Sequence, residues 1–169
     1  RYRYSYASEH AWTPYDGLDA GGTKVALLTG AASCAQGATA PAGASKSDSA
    51  GYTDGRRLVA SQVGATVNRK IYNANGTVAK DLGGESTAKD FSVAVHNDGT
   101  GIFVWDDGAE IWAQMYYSDG STNGQKFQVN TKVTGAQTKP EVAFQPSGRY
   151  IVAWNTDQRA LVAHAAATL

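Results

Sequence analysis

GTGIFVWDDGAEIWAQMYYSDG, residues 99–120, is the stretch whose reading decides the fold. An apolar run closes on Trp105, Asp106-Asp107-Gly108 follows, a second β-favouring run extends through Tyr117, and Asp119-Gly120 ends it. Two such runs joined by an Asp-Gly pair predict a β-hairpin, because tight turns need residues that tolerate positive φ. Working outward, a strand at 92–95 precedes the hairpin through Asn97-Asp98-Gly99, and a strand at 126–129 follows it through Asp119-Gly120. The unit reads as a four-stranded antiparallel meander.

The unit recurs. Residues 57–72, RLVASQVGATVNRKIY, align without gaps on residues 101–116 at an offset of about 44. Leu58 falls on Ile102, Gly64 on Gly108, Val67 on Ile111 and Tyr72 on Tyr116. Residues 91–105, FSVAVHNDGTGIFVW, lie over residues 140–154, PEVAFQPSGRYIVAW, at an offset of about 49, which places Trp105 on Trp154. Both offsets are close to the length of a propeller blade, about 40 to 50 residues. The expectation is a single all-β domain of antiparallel four-stranded repeat units, propeller-like, with a β-trefoil or a β-sandwich as alternatives. Residues 1–46 would hold N-terminal strands and a small-residue loop, and the units would span about 47–90, 91–139 and 140–169, the last incomplete.

Composition agrees with that class. A chain of 169 residues suits one domain with a substantial core. Fifteen basic and fifteen acidic side chains leave a formal charge of zero, so long-range attraction to nucleic acid or anionic membrane is not indicated. No apolar stretch approaches the roughly 20 residues that span a bilayer. A charged share of 18% beside 19 Gly and 9 Tyr points to an all-β, secreted protein rather than a helical cytosolic enzyme. The single Cys34 allows no intrachain disulfide and has no basic neighbour in AASCAQGA to activate it. The opening RYRYSYASEH, with neither Met nor a signal-like segment, suggests a processed product, and its Tyr2, Tyr4 and Tyr6 share one side of an extended strand. Residues 30–51 are nearly all small or polar and read as a long loop.

Two resemblances bear on function. The segment LDAGGTKVALLTG resembles the phosphate-binding start of sugar kinases of the repressor/kinase family, with Asp19, Gly21, Gly22, Thr23 and Lys24 at the matching positions. It covers about ten residues and no second phosphate motif accompanies it, so a Gly-Gly turn into a strand is the preferred reading. The pattern G-x-F/Y-x-V-x-W, then I-x-A-Q, an aromatic pair, D-G, F-Q-V-N-T and a P-x-V-A restart resembles the tandem repeats of large bacterial secreted and cell-surface proteins. That resemblance is carried by residues 93–154, implies propeller-type blades and a secreted or surface location, and brings no catalytic residue with it.

The candidate ligand-binding residues are Trp112, Gln114, Tyr116, Tyr117, Asp106 and Asp107. Sugars are held by an aromatic plate against their C–H faces and by carboxylates or amides on their hydroxyls, and this hairpin has both. Trp105 and Trp154 recur at equivalent positions, so they are read as packing between units. Trp112 does not recur, because Asn68 stands at its place in the preceding copy, and it is the first choice for a solvent-facing contact. On a strand it shares its face with Gln114 and Tyr116, opposite Ile111, Ala113 and Met115.

The acidic turns at Asp98, Asp107 and Asp119 invite calcium, but none has the spaced ligand pattern of a calcium loop, so tight-turn chemistry is preferred and no cofactor is expected. His10, His96 and His164 lack a nucleophile-elbow pattern around any serine. The resulting expectation is a secreted, non-catalytic binding module whose partner is a glycan or cell-surface polysaccharide, with homo-oligomers possible. The alternatives are a structural subunit of an extracellular filament or surface layer, and a propeller-type glycoside hydrolase.

Overall fold

The computed structural model describes residues 43–131, 134–156 and 160–163. The tyrosine-rich opening, the Asp19 to Lys24 motif, Cys34, His10 and His164 lie outside the described residues.

The described residues form an all-β structure of three antiparallel sheets. The first contains β1 (Ala44–Gly51), β2 (Arg57–Val63), β3 (Thr66–Tyr72) and β4 (Val78–Glu85), in chain order. The second repeats that meander with β5 (Phe91–Val95), β6 (Gly101–Asp106), β7 (Ile111–Tyr116) and β8 (Thr122–Gln128). The third holds β9 (Gln137–Phe144), β10 (Tyr150–Thr156) and β11 (Ala160–Ala163). The sheets pack in series, so neither the hairpin triplet of a trefoil nor a two-layer sandwich describes them.

One turn chemistry builds the long-turn end of every unit. At residues 52–56, 73–77, 96–100, 117–121 and 145–149 the first amide donates to the fifth carbonyl, and the amide of the fourth, a glycine, donates to the first carbonyl. These glycines hold φ between 80° and 91°, a region closed to most side chains. Four of the five turns place Asp or Asn before the glycine, and its Oδ1 accepts the amide two residues on: Arg56 on Asp54, Thr77 on Asn75, Thr100 on Asp98, Ser121 on Asp119.

Sequence period two then decides what each sheet buries. In the second sheet Phe91, Val93, Phe103, Trp105 and Tyr116 point one way and pack against Leu58, Ala60, Val67 and Ile71 of the first sheet. Ala94, Ile102, Val104, Ile111, Ala113 and Met115 point the other way and pack against Tyr150, Val152 and Trp154 of the third. The second sheet is therefore enclosed on both faces, and all of β6 is buried. Removing that much apolar surface from water is the main stabilising term of the stack, at about 25 cal/mol per Å².

The sheets approach most closely along their first strands, β1 to β5 and β5 to β9. An equivalent bond spans each approach. β5 is the edge of its sheet, and its outward Val93 amide donates 2.9 Å to Asp48 Oδ2 on β1. One sheet later, the Val142 amide of β9 donates 3.4 Å to Ser92 Oγ, the residue in β5 that corresponds to Asp48. A side chain of the preceding unit thus satisfies the edge amide that a lone sheet would leave open.

The long loop expected over 30–51 does not extend to its end, because 44–51 form β1 and pair with β2 along its length. ASKSDSAG is poor in β-favouring side chains, and the strand is set by its partner β2 and by the Asp48 bond to β5 rather than by local propensity.

Candidate functional site

At the short-turn end of the stack, three pieces of chain from two units meet between the first and second sheets. They are the β2–β3 turn with Gln62 and Ala65, the β4–β5 connection from Ser86 to Lys89, and the β6–β7 turn with Asp107 and Ala109. They line an open cleft of about 560 Å³. Lys89 lies close across the β6–β7 turn: a Cβ on Gly108 would fall 2.7 Å from its Nζ, and Gly108 has φ +95°, so only glycine suits this position.

Asp107 organises this end. Its Oδ1 accepts the amides of Ala109 and Glu110, both at 2.9 Å, and its Oδ2 accepts the indole N–H of Trp112 at 2.9 Å. Partial burial would raise its pKa, but the hydrogen bonds from Glu110, Ala109 and Trp112 outweigh that and hold the carboxyl below the usual range. The Trp112 ring packs against the core of the first two sheets and is half-buried, with its polar edge fixed by Asp107.

The other candidate residues lie elsewhere. Gln114 and Tyr116 do share a face with Trp112, but that face is covered by the first sheet, so the solvent-facing orientation expected for it is not what the fold gives. Gln114 is buried, and its amide nitrogen donates to Met115 O at 2.9 Å and to Gly124 O at 3.1 Å, bridging the bulge between β7 and β8. The Tyr116 hydroxyl accepts from Arg69 Nη1 at 2.8 Å inside the inter-sheet core, where the Arg69 guanidinium also lies 5.0 Å over the Phe103 ring. Burial raises the Tyr116 pKa, and Arg69 opposes the shift. Tyr117 is 52% exposed, in the turn at the opposite end of the strand from Asp107.

Asp106 is buried in the other direction, toward the third sheet. Its Oδ1 accepts the Gly108 amide and its Oδ2 the Lys139 amide, each at 3.1 Å. Lys139 has φ +55°, the one positive value at a non-glycine position among the described residues, and the Asp106 carboxylate holds that bend in β9. Desolvation pushes the Asp106 pKa up against those two hydrogen bonds.

Trp112 and Asp107 are thus joined at an accessible edge, Asp106, Gln114 and Tyr116 are structural, and Tyr117 stands apart. No protein-family model matches the chain, and no curated protein matches it. The cleft residues Gln62, Ser86, Thr87 and Lys89 are absent from the sequence-based set. They come from turns and connections in different units, and only the alignment of the repeats hints that such segments meet. Among the described residues, no three His, Cys, Asp or Glu side chains are grouped to hold a metal ion. The carboxylates of Asp54, Asp98 and Asp119 are engaged by the amides of their own turns.

The Trp pair carries a further asymmetry. Trp154 is anchored by its indole N–H, which donates 2.7 Å to Gln137 Oε1. Trp105, the same position one unit earlier, is buried with an indole N–H that has no partner. Ala88 stands where the third unit has Gln137, and it has no side-chain acceptor.

Proposed function

We propose that the chain is a non-catalytic binding module that takes carbohydrate in the cleft between its first two sheets. The observation that carries this reading is the pairing of a fixed, ionised Asp107 with the half-buried Trp112 beside a cleft lined by Gln62, Ser86, Thr87 and Lys89. An indole surface with neighbouring amide, hydroxyl and charged groups matches what a sugar offers, apolar C–H faces edged by hydroxyls. The units at offsets of about 44 and 49 support placing the chain among propeller-type tandem repeats of bacterial secreted and surface proteins. A polysaccharide outside the cell is the partner that such a location provides.

The test is a glycan array followed by calorimetric titration of the best ligand. Trp112→Ala and Thr87→Val should each weaken binding by about tenfold, equivalent to about 1.4 kcal/mol. Tyr117→Ala should leave affinity unchanged. If both variants, Thr87 in the cleft lining and Trp112 held beside it by Asp107, remain folded and bind as the parent does, the site is elsewhere. If no glycan on the array binds, the carbohydrate reading fails.

A further inference from the structure

We propose that the outer face of the third sheet is a seat for a further repeat sheet of the same kind. The stack has a direction. The second sheet turns one face toward the first and the other toward the third, and the repeat offsets show which residues hold the equivalent positions in its neighbours. In the first sheet the following-side face carries Ala50, Leu58 and Ala60, which pack on the second sheet. In the second it carries Ala94, Ile102 and Val104 at the equivalent positions, and these pack on the third. The third has Ala143, Ile151 and Ala153 there, the same small, branched, small set. Register confirms that they share a face, since Ile151 pairs with Ala143 and Ala153 with Glu141, while Val142, Phe144, Tyr150, Val152 and Trp154 face the second sheet. Ile102 is fully buried, whereas Ile151 and Ala153 are only half-buried and Ala143 is exposed.

The edge bonds show the same progression. Asp48 receives the Val93 amide, Ser92 receives the Val142 amide, and Glu141 is third in that series by sequence, its Oε2 accepting from Ser92 Oγ of the second sheet at 3.4 Å.

The occupant is defined by what fills the two existing interfaces. The face presented to the preceding sheet carries Val93, Phe103 and Trp105 in the second unit, and Val142, Val152 and Trp154 in the third. A second copy of this chain stacked head to tail would offer Ser49, Val59 and Ser61 instead, and Val59 and Ser61 are already buried. The partner is therefore a repeat sheet that carries the Val-…-Trp face, not another copy. This inference does not depend on the carbohydrate reading.

A chain extended after Leu169 by a copy of residues 121–136, which continues the third unit in register, and then by a copy of residues 88–136, which carries that face, tests it. In a Cys34→Ser background, Ala143→Cys places one thiol on the seat. Labelling of that thiol by dithionitrobenzoate should slow by about tenfold in the extended chain relative to the parent length, as expected for a protected surface. Ile151→Asp in the extended chain should restore the fast rate. Equal rates with and without the extension, whether or not the added unit folds, overturn the proposal. So does protection of the parent-length chain that grows with its concentration alongside a doubled solution mass, which would assign the face to a second copy.

Discussion

Ala88→Gln should stabilise this protein, although it replaces a buried small residue with a larger polar one. Trp105 is 1% exposed and its indole N–H is unpaired, while Trp154, its counterpart, donates to Gln137 Oε1 at 2.7 Å. A buried donor without a partner costs about 1–3 kcal/mol, and a typical hydrogen bond contributes about 0.5–1.5 kcal/mol net. Ala88 borders the open cleft, so the added side chain has space beside it. The expected gain is about 1 kcal/mol, less than the full penalty because the glutamine is ordered and must desolvate its own amide. The reverse change, Gln137→Ala, should cost about 3 kcal/mol. It orphans the Trp154 N–H and removes the donations from Gln137 Nε2 to Thr134 O at 3.3 Å and Gly135 O at 3.0 Å. Urea unfolding at constant slope reads both changes as shifts in midpoint. The Trp105 indole resonance should move downfield and exchange more slowly in Ala88→Gln. An unchanged midpoint together with an unmoved Trp105 resonance would refute the equivalence of the two tryptophan sites.

Two other perturbations follow from the same geometry. Asp106→Ala removes the acceptor of the Gly108 and Lys139 amides and leaves the positive-φ bend at Lys139 unsupported, so it should lower stability by about 2–4 kcal/mol in urea unfolding. Asp106→Asn, which retains one acceptor, should fall between the two. His96 is raised above its ordinary pKa, first by its hydrogen bond to Asp98 and then by Pro146 O. A raised pKa contributes stability that is complete below the unfolded value near 6.5 and fades as pH rises through the higher folded value. The parent should therefore be more stable than His96→Gln at pH 5.5, with the difference shrinking by pH 8. A difference that grows with pH would contradict this.

The central hairpin was legible because local signals and tertiary role agree there: β6 and β7 are short, nearly continuous apolar runs suited to a sheet covered on both faces, and Asp-Gly turns mark their ends. Recurrence separated the tryptophans, and Trp105 and Trp154 occupy equivalent places in successive inter-sheet cores. β1 was not legible. Its Ser, Ala, Lys and Asp side chains carry no strand signal, and pairing with β2 supplies what propensity does not. The face of Trp112, Gln114 and Tyr116 was readable as a face, but alternation on one strand does not reveal which layer lies over it. That face became interior once the first sheet was stacked on it. The cleft was the least legible feature, since Gln62, Thr87 and Lys89 are separated along the chain and meet only because one unit packs on the next.

Residue-resolved hydrogen exchange tests the serial stack most directly. Amides of β6, enclosed by a sheet on each side, should be the slowest among the described residues, and those of the exposed outer strands β4 and β8 among the faster. The edge amide of Val93 should be protected in the parent and released by Asp48→Ala. Amides of β6 that exchange as fast as those of β8, or a Val93 amide indifferent to Asp48, would contradict the packing on which the cleft and the seat both depend.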